Sequence, residues 1–121
     1  EKVSTSSDRR VKRDIVAADT AALLANINAL RLRHYGYTDA FLAHTQRDDT
    51  ENYGFIAQEV ETVMPTAVKT SRKKLIQYNP HSERHEVLED IVDFKSLNKD
   101  IIFTQAIGAI QELSRRLELL E

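Results

Sequence analysis

The chain has 121 residues, 41% hydrophobic and 30% charged, with a formal net charge of −2 and no cysteine. That balance suits one soluble domain whose single core buries roughly two thirds of the surface of the unfolded chain, and it is too apolar for wholesale disorder. It excludes a disulfide framework and a thiolate metal site, contains no run of the roughly 18 apolar residues of a membrane span, and lacks the basic excess of a domain that contacts nucleic acid directly.

Residues 1–6 are small and polar and read as an upstream tail entering the domain. The basic cluster Arg9-Arg10-Val11-Lys12-Arg13, like Arg72-Lys73-Lys74 further on, reads as a solvated face. Asp19-Thr20 before an alanine- and leucine-rich stretch predicts an N-cap and a short helix ending near Asn28, with Leu23, Leu24 and Ile27 on one side. From Leu30 the pattern changes to period two, which predicts a strand with Leu30, Leu32 and His34 on one face. Residues 45–52 are polar and read as an exposed loop, and Tyr53-Gly54-Phe55-Ile56 returns to the core. A helix through Val60 and Val63 follows and stops at Pro65.

Residues 69–90 carry much charge among scattered apolar positions and predict a ragged hairpin or arm with Pro80 at its tip. From about Asn98 to Glu121 one helix is predicted, with Phe103, Ala106, Ile110, Leu113, Leu117 and Leu120 at steps of three and four. That alternation is the a/d seam of a coiled coil, although its letters do not choose the number of strands. Ile101, Ile102, Ile107 and Ala109 lie off the seam, so the first turns need cover on several sides. The fold class is α+β and helix-rich: short helices and strands followed by a long C-terminal helix.

Ser7 and Lys12 have the chemistry of a serine-lysine dyad, in which a desolvated lysine takes the serine proton and the alkoxide attacks a carbonyl. A separation of five sets two side chains on opposite faces of a strand and about 140° apart around a helix, so only a turn or a shared pocket brings them together. His81 and His85, with Glu83 and Glu86 nearby, have helical metal-ligand spacing, but they follow Pro80 in a polar stretch that suits a solvated arm better. Glu59 and Glu61 fall on different faces of their helix, and the glycines at 36, 54 and 108 form no phosphate loop, so neither a metal nor a cofactor is expected.

Ser7-Asp8-Arg9-Arg10-Val11-Lys12-Arg13-Asp14-Ile15 resembles the Ser-Asp-x-x-x-Lys-x-x-Ile opening of the intramolecular chaperone auto-processing domains. These domains close phage tail spikes and occur in membrane-tethered transcription factors like myelin regulatory factor. Tyr53-Gly54-Phe55-Ile56-Ala57-Gln58-Glu59-Val60, with Met64-Pro65 and Ala67-Val68 after it, resembles the family's Gly-x-Ile-Ala-Gln-Glu-Val helix. Asp19-Thr20, Leu30-Arg31, His34-Tyr35-Gly36-Tyr37 and Asn98-Lys99 are similar to the myelin-regulatory-factor branch.

The resemblance implies an auto-processing domain over residues 7–121 whose C-terminal helix forms a trimeric coiled coil. It implies a homotrimer whose other partner is its own upstream segment, cut from the domain between Ser6 and Ser7. Ser7 would be the nucleophile and Lys12 the general base, with Gln58 and Glu59 as supports for the site. It places the parent protein in a membrane-tethered precursor of the endoplasmic reticulum or in a phage fibre. The alternative is a homotrimerisation module that does not cut.

Overall fold

In the computed structural model, which describes residues 4–121, the first regular element is a 3-10 turn at Arg9–Val11, and an extended stretch leads from it to helix α1 at Thr20–Ala29. Of the expected upstream tail, residues 1–3 lie outside the described residues. The remaining elements are strand β1 (Arg33–Tyr35), helix α2 (Asp39–Thr45), strand β2 (Asn52–Gly54), helix α3 (Ala57–Glu61), strands β3 (Val68–Asn79) and β4 (Arg84–Leu97), and helix α4 (Lys99–Glu118). The class is α+β, with two separate antiparallel sheets of two strands each, β1 with β2 and β3 with β4.

Asp19 caps α1 by accepting the Ala22 N–H at 3.1 Å, and Asn98 caps α4 in the same way through Asp100 N–H. Both helices therefore begin where the sequence predicts. The expected strand from Leu30 is shorter than its pattern: Leu30 ends α1 in an extended conformation, Leu32 is exposed, and pairing holds only Arg33↔Gly54, His34↔Tyr53 and Tyr35↔Asn52. Tyr53 accordingly points outward, and only Phe55 of its tetrapeptide packs on the core. Helix α2 falls in a stretch without helical periodicity. Thr38 starts it by accepting Phe41 N–H, and seven residues are too few for an apolar stripe to show.

The core is a small cluster of Val60, Met64, Ala67 and Ile102, around which Ile27, Leu30, Phe55, Val68 and Leu97 pack. It joins α3, the 3-10 turn at Pro65–Ala67, the base of the hairpin and the first turns of α4. The helix expected through Val63 already ends at Glu61, and Pro65 starts the turn that follows, the position at which a missing N–H is harmless.

The arm expected near residues 69–90 is a hairpin of two long strands, turning at Pro80 to Glu83, where Glu83 takes φ 54°. Two strands alone are marginal in water, and β3 and β4 also slip register between Leu75 and Ile76. Helix α2 packs there. Its His44 Nδ1 accepts the Ile76 N–H at 3.0 Å, capturing a donor at the irregularity, while Leu75 is buried. His44→Ala leaves that partly buried N–H without its acceptor and is expected to destabilise the fold by about 1–3 kcal/mol. A urea midpoint unchanged from wild type would show that water replaces the imidazole at no cost.

Candidate functional site

Asp8 organises the N-terminal motif. Its Oδ1 accepts Arg10 N–H at 2.8 Å, and both carboxylate oxygens accept from the Arg10 guanidinium at 3.0 and 2.8 Å. These bonds hold the Asp8 carboxyl below its ordinary range, the Arg10 side chain being the larger cause. Val11 N–H donates to Asp8 O and Lys12 N–H to Arg9 O, both at 3.1 Å. The turn closes the five-residue separation that neither helix nor strand can close, and Lys12 Nζ lies 2.8 Å from Ser7 Oγ. That is hydrogen-bond distance for an amine and a hydroxyl. Ser7, Lys12 and every other residue from Ser4 to Asp19 are exposed in the single chain.

The second motif is held differently. Arg33 on β1 donates to Glu59 on α3 through Nε at 3.0 Å and Nη2 at 2.6 Å, a two-pronged pair that lowers the Glu59 pKa and raises that of Arg33. Glu59 thus ties α3 to the strand before it, and Gln58 is exposed. Among the described residues no hydrogen bond runs from Gln58 or Glu59 to Ser7 or Lys12. Arg33 escaped the sequence reading because its partner is 26 residues away and no local pattern announces it.

Helix α4 carries two stripes one residue out of step. Ile102, Gln105, Ala109 and Glu112 face α1, with which α4 runs antiparallel: Asn26 donates to Gln105 at 3.1 Å and Thr20 to Glu112 at 2.8 Å. Gly108 permits the approach, since a Cβ there would stand 2.4 Å from Leu23 Cδ1. The seam stripe points elsewhere. Phe103, Ile110, Leu113, Leu117 and Leu120 are 48–83% exposed in the single chain, and Ala106 is half-buried. Of the off-seam residues expected to be covered, Ile102 and Ala109 are, whereas Ile107 is 42% exposed.

Glu112 is the one buried acid among the described residues, at 2% exposure. Besides Thr20 it accepts from Arg115 Nη2 at 2.6 Å and Arg116 Nε at 2.8 Å. Together the two arginines and the threonine hydroxyl pull its pKa from 4.5 to about 2. The sequence does hint at this site, because Arg115 and Arg116 lie three and four residues beyond Glu112 on the same helix face.

Residues 7–69, just over half of the chain, match a peptidase family described as the chaperone of endosialidase. An uncharacterised protein of Dictyostelium discoideum is 30% identical over 115 residues, 93% of this chain. This chain belongs to the chaperone of endosialidase family. Two further relatives are each 28% identical: a myelin gene regulatory factor-like protein of Dictyostelium discoideum over 93% of the chain, and a probable tail fiber protein of Escherichia phage Phieco32 over 98%. The chain spans only 9–13% of the length of these three relatives. The matched part of this chaperone-family domain starts at Ser7 and includes α3, so both sequence motifs fall inside it, while most of the hairpin and α4 lie beyond.

The lowered pKa of Glu112 sets a pH dependence. Its ionised form is favoured by the fold, so the stabilisation is complete above about pH 4.5 and is lost as pH falls through about 2. Thermal melts between pH 6 and 2 should show a steeper loss for wild type than for Glu112→Gln. Parallel curves for the two proteins would mean that the arginine contacts contribute nothing to the fold.

Proposed function

We propose that this domain is an intramolecular chaperone that trimerises through α4 and then cuts its own chain between Ser6 and Ser7, releasing whatever precedes it. The observation that supports the cut most directly is the 2.8 Å hydrogen bond between Lys12 Nζ and Ser7 Oγ, made by two residues whose spacing demands a purpose-built turn. In this reading the unprotonated Lys12 amine removes the Ser7 hydroxyl proton, and Oγ attacks the Ser6 carbonyl carbon. The Oγ–C bond forms, the C–N bond breaks, and the proton passes to the departing Ser7 nitrogen. Water then hydrolyses the ester to a Ser6 carboxylate and free Ser7. The protein is its own substrate, so the rate rests on holding the Ser6 carbonyl against Oγ, and Glu59 supports the site through its hold on Arg33.

Trimerisation draws its support from the outward seam, five large apolar side chains in a row that the single chain leaves in water. A coiled coil covers such a row with copies of itself. The domain in this reading is residues 7–121, with residues 1–6 as the end of the released segment. A second reading, a trimerisation module that keeps the fold without cutting, draws on the exposure of Lys12 in the single chain. A lysine acts as base when its ammonium is desolvated.

Freshly expressed wild type should lose the residues before Ser7, and Ser7→Ala, Lys12→Ala and Lys12→Arg should all keep them while remaining trimeric. Arginine fails as well as alanine because a guanidinium does not deprotonate in workable pH. Intact mass decides between the two readings, and cutting by Ser7→Ala at the same bond would remove Ser7 from the mechanism.

Assembly and cutting should fail together. Leu113→Asp buries an unpaired charge in each strand of the coil at a cost of several kcal/mol, so the protein is expected to sediment as a monomer and to stay uncut. A monomeric Leu113→Asp chain that cuts at the normal rate would show a site complete within one chain.

A further inference from the structure

Every residue of the N-terminal arm from Ser4 to Asp19 is exposed, yet the arm is not polar throughout. Val11, Ile15 and Val16 are 57–85% exposed, in a segment that also carries Arg9, Lys12 and Arg13. Asp14, at φ 56°, bends it between Lys12 and Ile15. Such a segment calls for an apolar surface with acidic neighbours, and the dyad needs water removed from Lys12. The single chain supplies neither to the arm.

A surface at the head of the seam brings both properties side by side. Leu32, Tyr35, Tyr53, Phe55 and Phe103 line an open groove of about 540 Å³ between β1, β2 and the start of α4, where Lys99 is its one charged lining residue, so the groove itself offers apolar contact and the acids lie beside it. Tyr35 is also a wall of an adjoining recess of about 410 Å³ into which Asp49 and Glu51 bring carboxylates. Phe103, moreover, is the first residue of the seam, so the groove opens at the head of the face that assembly covers. The stretch from Ser7 to Asp19 reaches at most ~40 Å when fully extended. Coiled-coil neighbours stand ~8–10 Å apart between axes, well inside that reach.

We propose that the arm from Ser7 to Val16 of one copy docks into the tyrosine- and phenylalanine-lined groove of a second copy, and that this contact excludes water from Lys12. The apolar side chains of the arm meet the aromatic walls, and Arg9 and Arg13, the second held only loosely by Asp14 at 3.9 Å, face Asp49 and Glu51 of the neighbour. The active site is then incomplete in any single chain, and the order of assembly before cutting follows from geometry. The proposal rests on the trimeric, self-cutting reading above.

The absence of cysteine permits a direct test. Val16→Cys and Tyr53→Cys, both at exposed positions, are combined in a Ser7→Ala chain that cannot cut, and the protein is treated with a short bismaleimide. Covalent dimers and trimers are expected on a denaturing gel, absent from either single-cysteine chain. A link within one chain, or no link in a protein that sediments as a trimer, overturns docking in trans, whereas a monomeric protein overturns the trimer and the docking with it.

Complementation gives the second arm of the test. Tyr53→Glu, which keeps its own arm intact, should cut slower on its own by a factor on the order of 10², the effect of lost positioning. Mixed with Ser7→Ala chains, whose grooves are intact, the Tyr53→Glu chains should be cut again. Wild-type cutting by Tyr53→Glu alone, or no rescue in confirmed mixed trimers, overturns the proposal. If wild type itself never cuts, the self-cleavage reading fails while the cross-link still reports whether the arm is docked.

Discussion

At Gly108 the backbone of α4 comes so near Leu23 that even a methyl group there would displace the leucine side chain, and this close packing on α1 goes with the face of α4 that is left outside. The hydrogen bonds from Asn26 to Gln105 and from Thr20 to Glu112 fix the antiparallel register on either side of it. With one stripe spent on α1, the stripe one residue further on, about 100° around the helix, points away from the domain. A long helix with a free apolar stripe is a poor end state for a monomer, because its exposed leucines contribute nothing until a partner covers them. The intrachain packing therefore leaves this apolar stripe uncovered, and in the proposed reading further copies cover it.

Glu112 belongs to the same constraint. A carboxylate this deep requires compensation for its lost hydration, and two arginines and a hydroxyl provide it. The guanidinium groups remain more than half exposed, so the charge is shared with solvent and not sealed in the core. An apolar residue at 112 could fill the same space against α1 but would leave the Thr20 hydroxyl without its acceptor. It would also blur the difference between the two stripes, and a buried polar group is one way to keep a helix from rotating into the wrong register.

The site described by Ser7 and Lys12 is local in a way that the rest of the fold is not. Its turn depends on Asp8 and Arg10, next to it in sequence, and on no part of the core. Local geometry of this kind sets the distance between the hydroxyl and the amine, yet it does not set their solvation. The fold also places the second motif on a separate element, with Glu59 committed to Arg33, so α3 reinforces the β1–β2 platform next to the aromatic groove. The hairpin stands apart again, joined to the domain at its base and steadied along its length by α2 through His44.

The helix starts at Asp19 and Asn98, a break in helix before Pro65, the hairpin tip at Pro80 and the single long helix α4 were legible in the sequence, because caps, proline and apolar period act within a few residues. So were the two motifs that carry the family. The sequence likewise left only a turn or a shared pocket to bring Ser7 and Lys12 together, since regular elements keep residues five apart from meeting, and the structure supplies the turn. It overran β1, placed Tyr53 inside and passed over α2, three short pieces whose extent is set by neighbours and not by pattern. Only the tertiary structure showed that Glu59 answers to Arg33, that His44 serves the hairpin backbone and that Glu112 lies buried beneath α1, because each pairing joins residues 26 or more positions apart. Which stripe of α4 the domain covers was decided there too: both stripes carry apolar residues at helical spacing, and the close approach at Gly108 selects between them.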